Sequence, residues 1–131
     1  MVTRQSELLR VLNEIVKVLP DPQWVALVDG NGLVLACVPE DPPIHQDRIS
    51  AMAAVSEMNA SRVVKEIDAG QLRFSIIAGS SRQLLTLSLV EGCLLSIGLG
   101  PGVSARSTFG PLSKKVPELL ETLNRRFTRE N

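Results

Sequence analysis

Two short apolar runs, 23–29 and 33–38, flank Asp29-Gly30-Asn31-Gly32, and that arrangement dictates a β-hairpin. Glycine and asparagine accept the positive φ that tight hairpin turns require. The strands are apolar on both sides, so the sheet they begin is expected to be covered on both faces. Helices must then supply both covers.

The rest of the sequence offers those helices. Residues 6–19 place Leu8, Leu9, Val11, Leu12, Ile15, Val16, Val18 and Leu19 on one side at helical spacing. Arg10, Asn13, Glu14 and Lys17 lie opposite, and Pro20 and Pro22 stop the helix. Residues 39–47 carry Pro39, Pro42 and Pro43 and read as a loop. A second helix is expected over about 47–67, with Asp47 or Ser50 available as its N-cap. Strands are expected over 72–78, 83–90 and 93–99. In the second of these, Leu85, Leu87 and Leu89 alternate with Thr86 and Ser88; in the third, Cys93, Leu95, Ile97 and Leu99 share a face. A Gly/Ser/Pro-rich loop over 100–110 precedes a last helix at roughly 113–127, with Val116, Leu119, Leu120, Leu123 and Phe127 as its stripe and Pro117 expected in its first turn.

The order is α-β-β-α-β-β-β-α in a mostly antiparallel sheet with helices on both faces. At 131 residues, residues 1–131 read as one domain, since domains run to roughly 100–200 residues. The hydrophobic fraction of 44% is enough for a packed core, so disorder is not expected.

Charge and composition narrow the function. Fourteen basic and fourteen acidic residues cancel, and aromatics are few, so no nucleic-acid surface is expected. A basic cluster near the C-terminus (Lys114, Lys115, Arg125, Arg126, Arg129) is interleaved with Glu118, Glu121 and Glu130 and reads as a solvated helix face. No apolar stretch reaches membrane-spanning length, and the first residues lack a signal peptide's apolar core, which makes cytoplasmic placement the expectation. Cys37 and Cys93 form no C-x-x-C pair and read as small buried hydrophobes.

Catalytic motifs fail one by one, and no enzyme is expected. His45 is the only histidine, so it cannot build a metal site, and it reads as a loop residue. Gly102-Val103-Ser104-Ala105-Arg106 departs from the nucleophile elbow at its last position. Gly98-Leu99-Gly100-Pro101-Gly102 lacks the third glycine of a dinucleotide cradle, because position 103 is Val103, and no helix follows at once. No cofactor and no metal are expected.

The second helix carries the positive signal. Ile49, Met52, Ala53, Ala60, Val63, Val64 and Ile67 fall in one sector, expected to lie on the sheet. Ala51, Ala54, Val55 and Met58 fall in the opposite sector. Ser50, Glu57 and Ser61 separate the two on one flank, and Asn59 and Glu66 on the other. One sheet requires only one apolar face. The second face reads as an interface at which small residues admit another helix. The competing reading is that scattered exposed apolar residues are ordinary.

Three segments then resemble the Roadblock family, the dynein-light-chain-related domains. Trp24 to Ala36 is similar to the family's first hairpin, Ile49-Ser50-Ala51-Met52-Ala53-Ala54 to the start of its central helix, and Gly92-Cys93-Leu94-Leu95 to its late hairpin. The resemblance implies an α/β (α+β), Roadblock/profilin-like fold: a five-stranded antiparallel sheet between helices. It also implies a homodimer joined through the third strand, around 72–78, and through the central helix. The contacts carried over are Ala51, Ala54, Val55, Met58 and Arg62 on the helix, and Leu72, Phe74 and Ile76 on the strand. Family dimers commonly serve as platforms for small Ras-like GTPases, and bacterial members include a partner that stimulates GTP hydrolysis. Arg62 and Arg73 are surface candidates without an assigned role. The rival reading is a small-molecule sensor domain, which needs a hollow core with convergent polar groups. The strongly apolar strands favour a filled core.

Overall fold

The computed structural model describes residues 2–125. The expectations that fell on Arg126, Phe127, Arg129 and Glu130 lie outside the described residues. Helix α1 (Arg4–Val18) opens with a capping box. Ser6 N donates to Thr3 Oγ1 at 3.0 Å, and Thr3 N donates to Ser6 Oγ at 2.9 Å. Two amides that helix geometry leaves without partners are thereby satisfied. Strand β1 (Pro22–Val28) turns into β2 (Val34–Val38). The Asp29 carboxylate closes that turn by accepting from Asn31 N at 2.9 Å and Leu33 N at 3.0 Å. Helix α2 (Gln46–Glu66) follows, then β3 (Phe74–Ala78), β4 (Gln83–Ser88) and β5 (Leu94–Leu99), and helix α3 (Phe109–Asn124).

The five strands form one antiparallel sheet in the order β2-β1-β5-β4-β3. On one face α1 and α3 pack side by side. Leu8, Val11, Leu12 and Ile15 of α1 and Leu112 and Leu119 of α3 meet Val25, Leu27, Leu85, Leu95, Ile97 and Leu99. On the other face α2 covers Trp24, Ala26 and Cys37 through Ile49, and Val28 and Leu94 through Ala53. The α-β-β-α-β-β-β-α order and the α+β class stand as expected. No helix among the described residues is long and apolar enough to cross a membrane.

Four local expectations are corrected. Strand β3 begins at Phe74 instead of residue 72, which leaves Leu72 in the preceding loop. Helix α3 begins at Phe109 instead of residue 113, because a 3-10 turn over Ala105–Thr108 runs straight into it. Thr108 in that turn is buried and donates from Oγ1 to the Ala105 carbonyl at 2.6 Å. Pro117 consequently sits in the helix interior, where it removes one backbone bond. The N-cap of α2 is His45 rather than Asp47 or Ser50: its Nδ1 accepts from Asp47 N at 3.1 Å.

Candidate protein-interaction surface

The sheet face beneath α2 carries a row of hydroxyls among its apolar residues. Ser75, Thr86, Ser96 and their strand neighbours align across β3, β4 and β5. Small polar residues of α2 sit on this row. Ser56 Oγ lies 3.2 Å from Ser75 Oγ, and Ser88 Oγ donates to Glu57 at 2.7 Å. Ser50 and Ser56 are buried alongside Ile49 and Ala53. A helix seated through serine and alanine can approach a sheet closely; Ser56 and Glu57 partner the hydroxyls of Ser75 and Ser88, whereas Thr86 Oγ1 is buried without a hydrogen-bond partner among the described residues.

This seating turns α2 away from the orientation read from its apolar periodicity. Met52, Val63 and Ile67 were expected on the sheet; they are exposed to 53%, 57% and 67%. Val55, Met58, Ala51 and Arg62 are exposed as well, and Ala54 is half-buried. The two apolar sectors that the sequence kept apart therefore share one outward-facing surface, with Asn59 and Glu66 among them. Glu57 and Ser61, expected as a polar divider, lie on the sheet-facing side, half-buried.

Alongside this surface runs a groove of about 450 Å³ between α2 and the edge of the sheet. Met52, Val55 and Val63 form its helical wall, and Ser75, Ile77 and Leu84 its strand wall. Ile77 is 54% exposed. Its strand, β3, is an edge strand that among the described residues pairs only with β4. The groove thus opens beside backbone groups that no other strand engages.

The expected strand contacts fall differently. Phe74 and Ile76 point to the opposite face of the sheet. The Phe74 ring lies 4.7 Å from that of Phe109, and Ile76 packs on the cluster under α1 and α3. Phe74 keeps 41% of its surface exposed, whereas Leu72 is half-buried in a loop. The structure brings Val55 together with Met52, Val63 and Ile77, of which only Val55 was singled out for an interface. The missed signal was available: Leu85 and Leu87 define the core face of β4, and strand pairing places Ile76 and Phe74 beside them. The odd-numbered residues of β3 must then face α2.

Titratable groups add no reactive centre here. Burial pushes the Cys37 thiol up to about 11. On the far face Arg10 bridges Glu7, Glu14 and Glu118, and Lys115 donates to Glu14 at 3.0 Å. Those contacts tie α1 to α3, raise the Arg10 pKa and lower that of Glu14, the latter chiefly through the Lys115 hydrogen bond. Among the described residues no group of three or more His, Cys, Asp or Glu side chains is placed to hold a metal ion.

Comparison with known proteins agrees with this architecture. No curated protein matches the chain by sequence. Among solved structures, the Roadblock/LC7 domain from Streptomyces avermitilis superposes with a TM-score of 0.79 at 19% identity, covering 89% of this chain and 98% of that one. MglB of Myxococcus xanthus gives 0.75 at 16% identity, covering 96% of each chain. The gliding protein MglB of Thermus thermophilus gives 0.72 at 17% identity, covering 94% of this chain and 90% of that one. At these identities the likeness establishes the fold. The family model described as "Roadblock/LC7 domain" matches residues 10–98, more than half of the sequence, and the chain belongs to that family.

Proposed function

We propose that this protein is a non-catalytic, single-domain interaction module of the cytoplasm, which pairs with a second copy of itself and presents the joined surface to a small Ras-like GTPase. The apolar groove between α2 and the unpaired edge of β3 carries the reading. Met52, Val55, Val63 and Ile77 line it on both sides, and Met58, outside the lining, is 66% exposed on the same helix. Pairing β3 with its counterpart in a second copy continues the sheet across both chains and satisfies the edge. The same movement brings the two α2 helices together and removes their methionines and valines from water. The GTPase assignment rests on the resemblance to Roadblock dimers. Regulation of the partner's GTP hydrolysis is the form of activity that best suits a module without catalytic groups of its own.

Light scattering across a dilution series tests the pairing. A dimer is expected for the unaltered protein. Met58→Arg and Ile77→Glu are expected to yield folded monomers, checked by circular dichroism. Variants that remain associated would remove this face from the interface. The dimer is then titrated with small Ras-like GTPases loaded with GDP or with a GTP analogue, and nucleotide-dependent binding that disappears with Met58→Arg supports the platform reading. Absence of binding in both nucleotide states would confine the proposal to self-association.

A further inference from the structure

The opposite edge of the sheet has a different character. Among the described residues, strand β2 pairs only with β1. Its five residues, Val34 to Val38, include no charged side chain and no proline. Edge strands in soluble proteins are commonly blunted by an inward charge, a proline or a covering segment. Here the edge lies in a groove of about 300 Å³, walled by Gln5 and Leu9 of α1 on one side and by Glu40 and Gln46 on the other. Leu35 and Cys37 of the strand itself form part of the floor.

Charge marks one end of that groove. A second depression of about 210 Å³ shares Glu40 and Gln46 with it and adds Asp41 and Asp47. Asp47 is 91% exposed. Glu40 and Asp41 form no ion pair with a described residue. Glu40 and Asp41 thus lie just past the C-terminal end of β2, at the mouth of a slot lined by Leu9, Leu35 and Cys37 together with polar groups.

We propose that the β2 edge is a second docking site, which takes an extended segment of a partner protein as an added strand, with alternate side chains in the slot and a basic residue or pair meeting Glu40 and Asp41. Strand addition supplies main-chain hydrogen bonds to the unpaired edge, and alternate side chains enter the groove. The acidic mouth sets the polarity of the segment and selects basic over acidic sequences. The site is remote from the α2–β3 surface and does not depend on the dimer reading.

The probe is a fluorescein-labelled peptide of alternating valine and threonine ending in Lys-Arg, compared with one ending in Glu-Glu. Binding is followed by anisotropy and by backbone amide shifts of the full chain. The basic probe is expected to perturb the amides of 34–38 and to bind about tenfold more tightly than the acidic one at low salt. The double change Glu40→Lys with Asp41→Lys, both at exposed loop positions, is expected to reverse that order while β2 remains the site. Equal affinity of the two probes, shifts confined to β3, or no binding of either at millimolar concentration would overturn the proposal. So would a wild-type assembly larger than a dimer whose β2 amides are already protected, since a second copy would then be the occupant.

Discussion

Ser56 Oγ on α2 and Ser75 Oγ on β3 lie 3.2 Å apart, and this contact sets how closely the helix rests on the sheet. Two hydroxyls occupy the space that a pair of aliphatic side chains would overfill. The contact also fixes the rotation of α2, so Met52 and Val63 turn outward over the groove instead of inward onto the strands.

Enlarging that contact is therefore expected to act on two levels. Ser56→Leu overpacks the seat of the helix and is expected to cost about 1–3 kcal/mol of stability, read from urea unfolding. It also lifts α2 from β3 and widens the groove, so the variant is expected to self-associate more weakly than Ser56→Ala. Equal association of the two variants would show that the spacing has no bearing on the surface.

A second expectation concerns β3 and separates its two faces. Ile77→Glu is expected to leave thermal stability nearly unchanged in the monomer, because the side chain is already more than half exposed. Ile76→Ala removes a side chain packed on the main core cluster and is expected to cost about 2–4 kcal/mol. Comparing the two melting curves checks the register directly, and the reverse ranking would place the wrong residue in the groove.

These two neighbours also show how far the sequence could be read. The hairpin at Asp29-Gly30-Asn31-Gly32, the stripe of α1 and the alternation of Leu85 and Leu87 announce themselves, because each depends on local geometry with a single period. The phase of α2 does not. Its apolar residues are spread round the helix, and the deciding contacts are those of Ser56 with Ser75 and of Glu57 with Ser88, on strands distant in sequence. Apolar periodicity assigned Met52, Val63 and Ile67 to the sheet because it counts only apolar residues, whereas the seat is built largely from serine and alanine. His45 escaped notice for a related reason: a histidine rarely stands first among N-caps, yet its Nδ1 accepts the Asp47 amide. The onset of α3 was hidden by a 3-10 turn, where neither Ser104 nor Thr108 makes a side-chain capping bond.

Gly98 offers a third test. A Cβ at this position would lie 2.5 Å from the Trp24 ring, which is itself buried and donates from Nε1 to Ser96 Oγ at 3.2 Å. Gly98→Ala must push the indole aside, with an expected cost of about 1–3 kcal/mol. Trp24 is the sole tryptophan, so its emission reports the displacement without ambiguity. A shift of the emission maximum towards the red is expected, together with a lower unfolding midpoint. An unchanged spectrum would mean that the strand yields instead of the ring.

The two cysteines are expected to differ in reactivity. Burial raises the Cys37 thiol to about 11, so at pH 8 roughly a thousandth of it is thiolate, the reactive form. Iodoacetamide labelling of the native protein, followed by mass spectrometry of peptides, is expected to modify half-buried Cys93 well before Cys37. Early labelling of Cys37 would show that the β2 edge opens far enough to expose it.

Acid titration provides the last test, through the contacts that join α1 to α3. Glu14 accepts from Lys115 and from Arg10, and its pKa lies below its ordinary value of 4.5. A carboxylate whose folded pKa is depressed contributes stability that is fully present above its unfolded pKa and is lost as pH falls through the folded one. The stability gap between the unaltered protein and Glu14→Gln is therefore expected to be constant at neutral pH. It should begin to close near pH 4.5 and disappear below the lowered folded value. Glu14 keeps 32% of its side-chain surface exposed, so the gap is expected to be small and to shrink with added salt. Unfolding midpoints of both proteins measured at pH 7, 5, 4 and 3 check the sign. A gap that widens on acidification would mean that Glu14 is protonated more readily in the folded state, and that Lys115 does not hold its charge.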